Sequence, residues 1–296
     1  MIILEIIFFL IASSTILLSL AGYGQFLINR IQSNFFVNIF FGFIVITFLI
    51  TITHFFIKIN FYVGLVILLL GLFLFVKDFN INCLKLLKKN YLYFLLFLIL
   101  VPILISQKYH EDFGYYHLPY VISMIENKII FGLANSNIAF SHNSIWLNTI
   151  SIFAFPNNNF NFLTLPVFLI YFIFITFSLK KIFVSPKKIP STYFLIICLF
   201  YFIIKFTRIS EYGNDIPAVI FSVLTIFYFL KYSETKIREK KIFYFFYCFS
   251  FAIFGILIKF SVSPIFLLPL CLFCLNINVL KKEIFKLKFI FIFILG

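Results

Sequence analysis

Apolar residues run along this chain in long unbroken blocks, separated by short polar clusters rich in lysine. Blocks at 2–28, 36–57, 60–76, 91–106, 162–179, 191–206, 216–230, 242–258 and 264–279 approach the roughly 20 residues a helix needs to cross the hydrocarbon core. A tenth begins near Phe289 and stops at Gly296, which reads as truncation of a longer protein. A membrane β-barrel would show short segments alternating apolar and polar, and these blocks are continuous. The pattern predicts an all-α, polytopic integral membrane protein of about nine to ten transmembrane helices.

The segment 107–161 breaks this rhythm, being too long and too patterned for a plain connector. From Leu118, apolar residues recur at Val121, Ile122, Ile125 and Ile129, with Ser123, Glu126 and Asn127 off the stripe. A second stripe passes through Ile145, Trp146, Ile150 and Phe153, opposed by Ser144, Asn148 and Ser151. Both predict short amphipathic helices lying in the membrane interface, with the lone tryptophan at headgroup depth. His54, near the end of the second block, reads as a solitary interfacial residue.

Composition agrees: 63% hydrophobic and 11% charged residues leave too little polar surface for a water-soluble fold of this length. The net charge of +14 could suggest nucleic acid, but the cations sit in short loops, so nucleic acid is not an expected partner. Clusters at Lys77/Lys85/Lys88/Lys89, Lys180/Lys181/Lys187/Lys188, Lys231/Lys236/Arg238/Lys240/Lys241 and Lys281/Lys282/Lys286/Lys288 fall on one side when the spans are counted in order. That side is expected to be cytoplasmic. The opposite face then carries 107–161, 205–217 and 259–263, and with them Glu111, Asp112, Glu126, Glu211 and Asp215. Cys271 and Cys274 fall within a span without partner ligands and read as packing. The apolar N-terminus reads as an uncleaved first span, and no inverted repeat joins the halves.

Candidate chemistry gathers in Lys108-Tyr-His110-Glu111-Asp112-Phe-Gly-Tyr-Tyr116-His117-Leu-Pro119, directly after an apolar span. Such polarity at a membrane boundary is costly unless it binds or converts something. Asp112 and Tyr116 share a face on a helix, whereas Glu111 and Asp112 cannot. A carboxylate here could act as a general base, hold a divalent cation, or simply cap a helix. His110, His117 and His142 match no zinc spacing. The loop at 205–217 adds Lys205, Arg208, Glu211 and Asp215, whose helical spacing would place like charges together. Asp215 could equally cap the next helix, and Lys259 could snorkel or meet a lipid phosphate.

Asp112-x-x-x-Tyr116-His117-Leu118-Pro119, following a span and opening a long outer loop, resembles the polytopic GT-C glycosyltransferases, which use polyprenyl-phosphate-linked sugars. The resemblance covers roughly 91–230, a core that includes loop 107–161, flanked by N-terminal helices at 1–90 and further helices at 231–296. It implies a bacterial inner-membrane enzyme, with its active site facing the periplasm, that transfers a hexosyl or pentosyl group to a lipid or glycan acceptor of the cell envelope. Asp112 would be the catalytic carboxylate, with Glu111 the weaker candidate. Lys205, Arg208 and Lys259 would meet the lipid phosphate, while Tyr116, His117, Glu211 and Asp215 would contact the sugar. Asp112 and Glu211 could hold Mg or Mn, though an activated leaving group needs no obligatory metal. The alternatives are a lipid or solute transporter or flippase, and a non-catalytic envelope-assembly membrane subunit.

Overall fold

The computed structural model describes residues 2–28, 34–77, 91–105, 112–141, 144–153, 162–184, 189–210 and 212–276. These are 87% helical and contain no strand. The long helices are α1 (Ile2–Ile28), α2 (Phe35–Phe56), α3 (Phe61–Lys77) and α4 (Tyr91–Ile105). After two short helices, α5 (Leu118–Glu126) and α6 (Ile145–Ser151), come α7 (Leu165–Val184), α8 (Pro190–Ile204), α9 (Asp215–Glu234), α10 (Arg238–Ile258) and α11 (Leu267–Leu275). Within the described residues, every predicted apolar block thus falls mainly on helix, and the block near Phe289 lies outside them.

Five of these helices (α1, α2, α7, α9 and α10) are long and apolar enough to cross a membrane, consistent with a membrane protein. At a rise of about 1.5 Å per residue, the 15 residues of α8 reach only about 22 Å, short of a core of about 30 Å. Among the described residues, length alone therefore does not confirm the expected count of nine to ten spans. The surface of α3 fits a lipid surrounding: Tyr62, Val66, Phe73 and Val76 form an exposed stripe, while Gly64, Ile67, Gly71 and Phe75 are buried behind it.

Packing divides the chain into two compact units, Met1–Ile173 with Thr207–Gly213, and Phe174–Phe206 with Asn214–Gly296. In the first, α2 is central: every residue from Phe36 to Ile44 is buried, as expected of a helix apolar all round. It begins where the Asn34 side chain accepts a bond from the Phe36 N–H at 3.3 Å. Its close approach to α1 depends on glycine, since a Cβ on Gly42 would overlap the Leu20 carbonyl and one on Gly24 the Asn38 carbonyl. The Tyr23 hydroxyl donates to the Ile67 carbonyl at 2.6 Å, fastening α1 to α3.

In the second unit, the N-terminus of α8 is capped from a distance. Glu234, the last residue of α9, accepts the Ser191 N–H at 2.7 Å and the Ser191 hydroxyl at 2.8 Å. Pro190 at the first turn has no N–H to satisfy, so these bonds land where donors would otherwise be orphaned. At the other end of the same unit, the Asn214 amide donates to the Ile258 carbonyl at 3.4 Å, joining the start of α9 to the end of α10.

Candidate functional site

In the first unit, the segment around α5 is fastened to the turn between α2 and α3. The Ile59 N–H donates to the Met124 carbonyl at 2.9 Å, and the Ile129 N–H to the His54 carbonyl at 3.1 Å. His54 also places its Nε2 at 3.2 Å from the Asn127 carbonyl. His54 is therefore a buried anchor of the loop and not a solitary interfacial residue. The α5 stripe is also corrected: Val121 and Met124 are its buried residues, and Ile129 lies beyond the helix end.

α6 departs further from expectation. All residues from Trp146 to Ser151 are buried, so this helix is not an interfacial one with a water-facing side. Trp146 is fully buried against Phe43, with ring centroids 5.4 Å apart, and its indole N–H has no hydrogen-bond partner among the described residues. Headgroup depth would have offered it water. The polar stripe turns inward instead: the Asn148 amide donates to the Thr51 hydroxyl at 2.7 Å, and Thr149 and Thr47 bond through their hydroxyls.

On this frame sits Asp112. The segment after it, Phe113–His117, is π-helical, and the Leu118 N–H reaches back to the Phe113 carbonyl. Such widened turns occur frequently at functional sites. Asp112 is half-buried, and its side chain makes no capping bond to the helix it precedes. His117 is buried and packs edge-on to Tyr116 at 4.3 Å, while Tyr116 is half-buried and Tyr115 exposed. Glu111, His110, Lys108 and His142 lie outside the described residues.

The second loop enters the same unit at Thr207–Gly213. Phe113 stacks on Tyr212 with centroids 4.0 Å apart and planes 20° apart. Asp112 and Arg208 are thus borne by two segments, distant in sequence, that are in direct contact. Arg208 is half-buried in the tight turn Phe206–Ser210. The stack was missed in the sequence, although a signal was present: Asp112-Phe113 and Glu211-Tyr212 are the same acid–aromatic pair in two loops. Glu211 lies outside the described residues.

The remaining candidates belong to the second unit. Lys205 caps the end of α8 and is exposed. It shares no helix face with Arg208, because α8 ends at Ile204 and Arg208 lies in the separate turn Phe206–Ser210. Asp215 is the first residue of α9, with Asn214 at the cap position and no side-chain capping bond there. Its carboxylate accepts from the Lys259 ammonium at 2.5 Å, the side chains being 51% and 40% exposed respectively. Lys259 therefore meets a carboxylate within its own unit. Among the described residues no three His, Cys, Asp or Glu side chains cluster as metal ligands.

The chain is matched over residues 1–296 by one family model, and it belongs to that family, described as Domain of unknown function (DUF8201). No curated protein and no solved structure matches it.

Proposed function

We propose that this family member is a glycosyltransferase of the bacterial inner membrane. It transfers a sugar from a polyprenyl-phosphate donor to a lipid or glycan acceptor on the periplasmic face. The observation that carries this is the Phe113–Tyr212 stack, which brings the segment bearing a half-buried carboxylate against the segment bearing a half-buried guanidinium. Supporting it are the apolar, bilayer-length helices of the chain and the resemblance of the Asp112–Pro119 motif to the GT-C enzymes.

In this reaction the acceptor O–H gives its proton to the Asp112 carboxylate as its oxygen attacks the anomeric carbon. The bond from that carbon to the phosphate oxygen breaks, and its electron pair stays on the phosphate. Arg208 neutralises the charge that develops there, a role suited to its planar fork of donors. Tyr116 and His117 line the sugar side, and Glu111 is the alternative base. The resemblance further assigns Lys205, Glu211, Asp215 and Lys259 to donor and sugar. Asp112 and Glu211 would hold a divalent cation if the reaction uses one.

The test is reconstitution of the full-length protein with a radiolabelled polyprenyl-phosphate sugar and a membrane acceptor extract. Asp112→Asn should lower label transfer by about 10²-fold or more. Arg208→Lys should keep part of the activity that Arg208→Ala loses. Transfer at the wild-type rate by Asp112→Asn would remove the catalytic assignment.

A further inference from the structure

The amphipathic pattern assigns contact with the membrane interface to α5 and α6, but α6 is buried throughout. Strongly exposed apolar side chains stand instead on the turn that follows α5, where Phe131 is 81% exposed and Ile138 80%. Both stems of this turn are fixed. At its start the Ile129 N–H donates to the His54 carbonyl. At its end Ala139 is buried, and Phe140 packs on Tyr120 of α5 with ring centroids 6.1 Å apart. Between the stems the chain bends at Gly132, whose φ of 79° would strain any residue with a side chain.

The turn meets its polar requirements from within. The Asn135 N–H donates to the Gly132 carbonyl at 2.8 Å, the Ser136 N–H to the Leu133 carbonyl at 3.1 Å, and the Phe140 N–H to the Asn137 carbonyl at 3.0 Å. The Asn137 side chain accepts the Ala139 N–H at 2.9 Å. The hydroxyls of Ser136 and Ser141 donate to the Leu133 and Ile138 carbonyls, each at 2.6 Å. Unmet backbone groups are what keep irregular chain away from hydrocarbon, and these donors are met.

The bond to His54 sets the level of the turn. His54 lies in the last turn of α2, a helix long and apolar enough to cross a membrane. Two residues advance the chain by at most about 8 Å, so Phe131 stands close to the end of that helix. Phe56 and Tyr62 are exposed at the same end, and the tip of the turn therefore extends the exposed apolar surface of α3. Lys58 and Lys128 are exposed beside it, along with Glu126, and lysine stems are long enough to carry their charge to headgroup phosphates. Apolar tips between lysines suit the boundary of headgroups and acyl chains. Lipid is the surrounding at that level, whether or not another protein is present.

We infer that the turn 130–138 inserts into the membrane interface, with Phe131 and Ile138 seated just below the headgroups of glycerophospholipids. It stands whether or not the chain transfers a sugar.

The full-length protein carrying Phe131→Trp would be reconstituted in phosphatidylcholine vesicles brominated on the acyl chains, either near the headgroup or near the chain end. Bromine quenches indole on contact. Trp146, the only native tryptophan, is fully buried, so wild-type protein in the same vesicles supplies its background. Bromine near the headgroup should quench the added fluorescence at least about twofold, and more than bromine near the chain end, as expected about 5–10 Å into the boundary. Ile138→Trp should behave in the same way, so the result does not hang on one variant folding. Aqueous iodide should quench both less than it quenches free N-acetyltryptophanamide. Full iodide quenching with no bromine effect would place the turn in water. Protection from both quenchers would place it against protein, a second copy included. Stronger quenching from the chain end would place it in the hydrocarbon core. Each of these three results overturns the inference.

Discussion

One helix, α9, carries a carboxylate at each end, and the two are held in opposite ways. Glu234 closes it with its side chain 15% exposed, accepting bonds from Ser191 N–H, Ser191 hydroxyl and Lys231. Asp215 opens it with its side chain 51% exposed, meeting Lys259. A carboxylate surrounded by donors is spent on structure, because replacing any of its bonds leaves a buried donor unmet. An exposed carboxylate with one exposed lysine loses little when it exchanges that partner for a sugar hydroxyl. The end of α9 with stability to lose is therefore not the end expected to bind substrate.

The comparison breaks most visibly at the buried end. Glu234→Ala should destabilise the protein by about 2–3 kcal/mol, by leaving the first turn of α8 uncapped, and a lowered melting temperature in detergent would register it. A change within measurement error would mean that Glu234 is no more structural than Asp215. At the exposed end, Asp215→Asn should shift stability by less than about 1 kcal/mol. Its label transfer should nevertheless fall about tenfold, the worth of one charged hydrogen bond to a sugar hydroxyl. Wild-type transfer by that variant would leave Asp215 with only its lysine. The smallest effect is on salt: raising it from 0.05 to 0.5 M should cut the Lys259→Gln stability difference by a few tenths of a kcal/mol, and leave that of Glu234→Ala nearly unchanged. These conditions straddle a Debye length of about 10 Å at 0.1 M, so exposed pairs are screened and half-buried ones are not.

What the sequence made legible follows from which forces are local. Helix positions were legible because backbone bonds in an apolar run can be satisfied only within the helix, so 36–57 and 242–258 reappear nearly unchanged as α2 and α10. α6 was misread for the opposite reason. Ser144, Asn148 and Ser151 form a polar stripe whose natural reading is water, but the partners of this helix, Thr47 and Thr51, lie about a hundred residues earlier. His54 was misread likewise, its partner Asn127 being 73 residues away. In the site, the acidic clusters were visible as residues out of place. The π-helical turn at Phe113 was not, since turn width is not written in spacing, and the stack on Tyr212 left only the repeated acid–aromatic pair as a trace.

The central claim is that Asp112 removes a proton as the sugar transfers, and single-turnover transfer with donor prebound tests it most directly. With Asp112→Asn, donor binding should remain at the wild-type level while the transfer rate falls about 10²-fold or more. An unchanged rate at saturating donor would contradict the account.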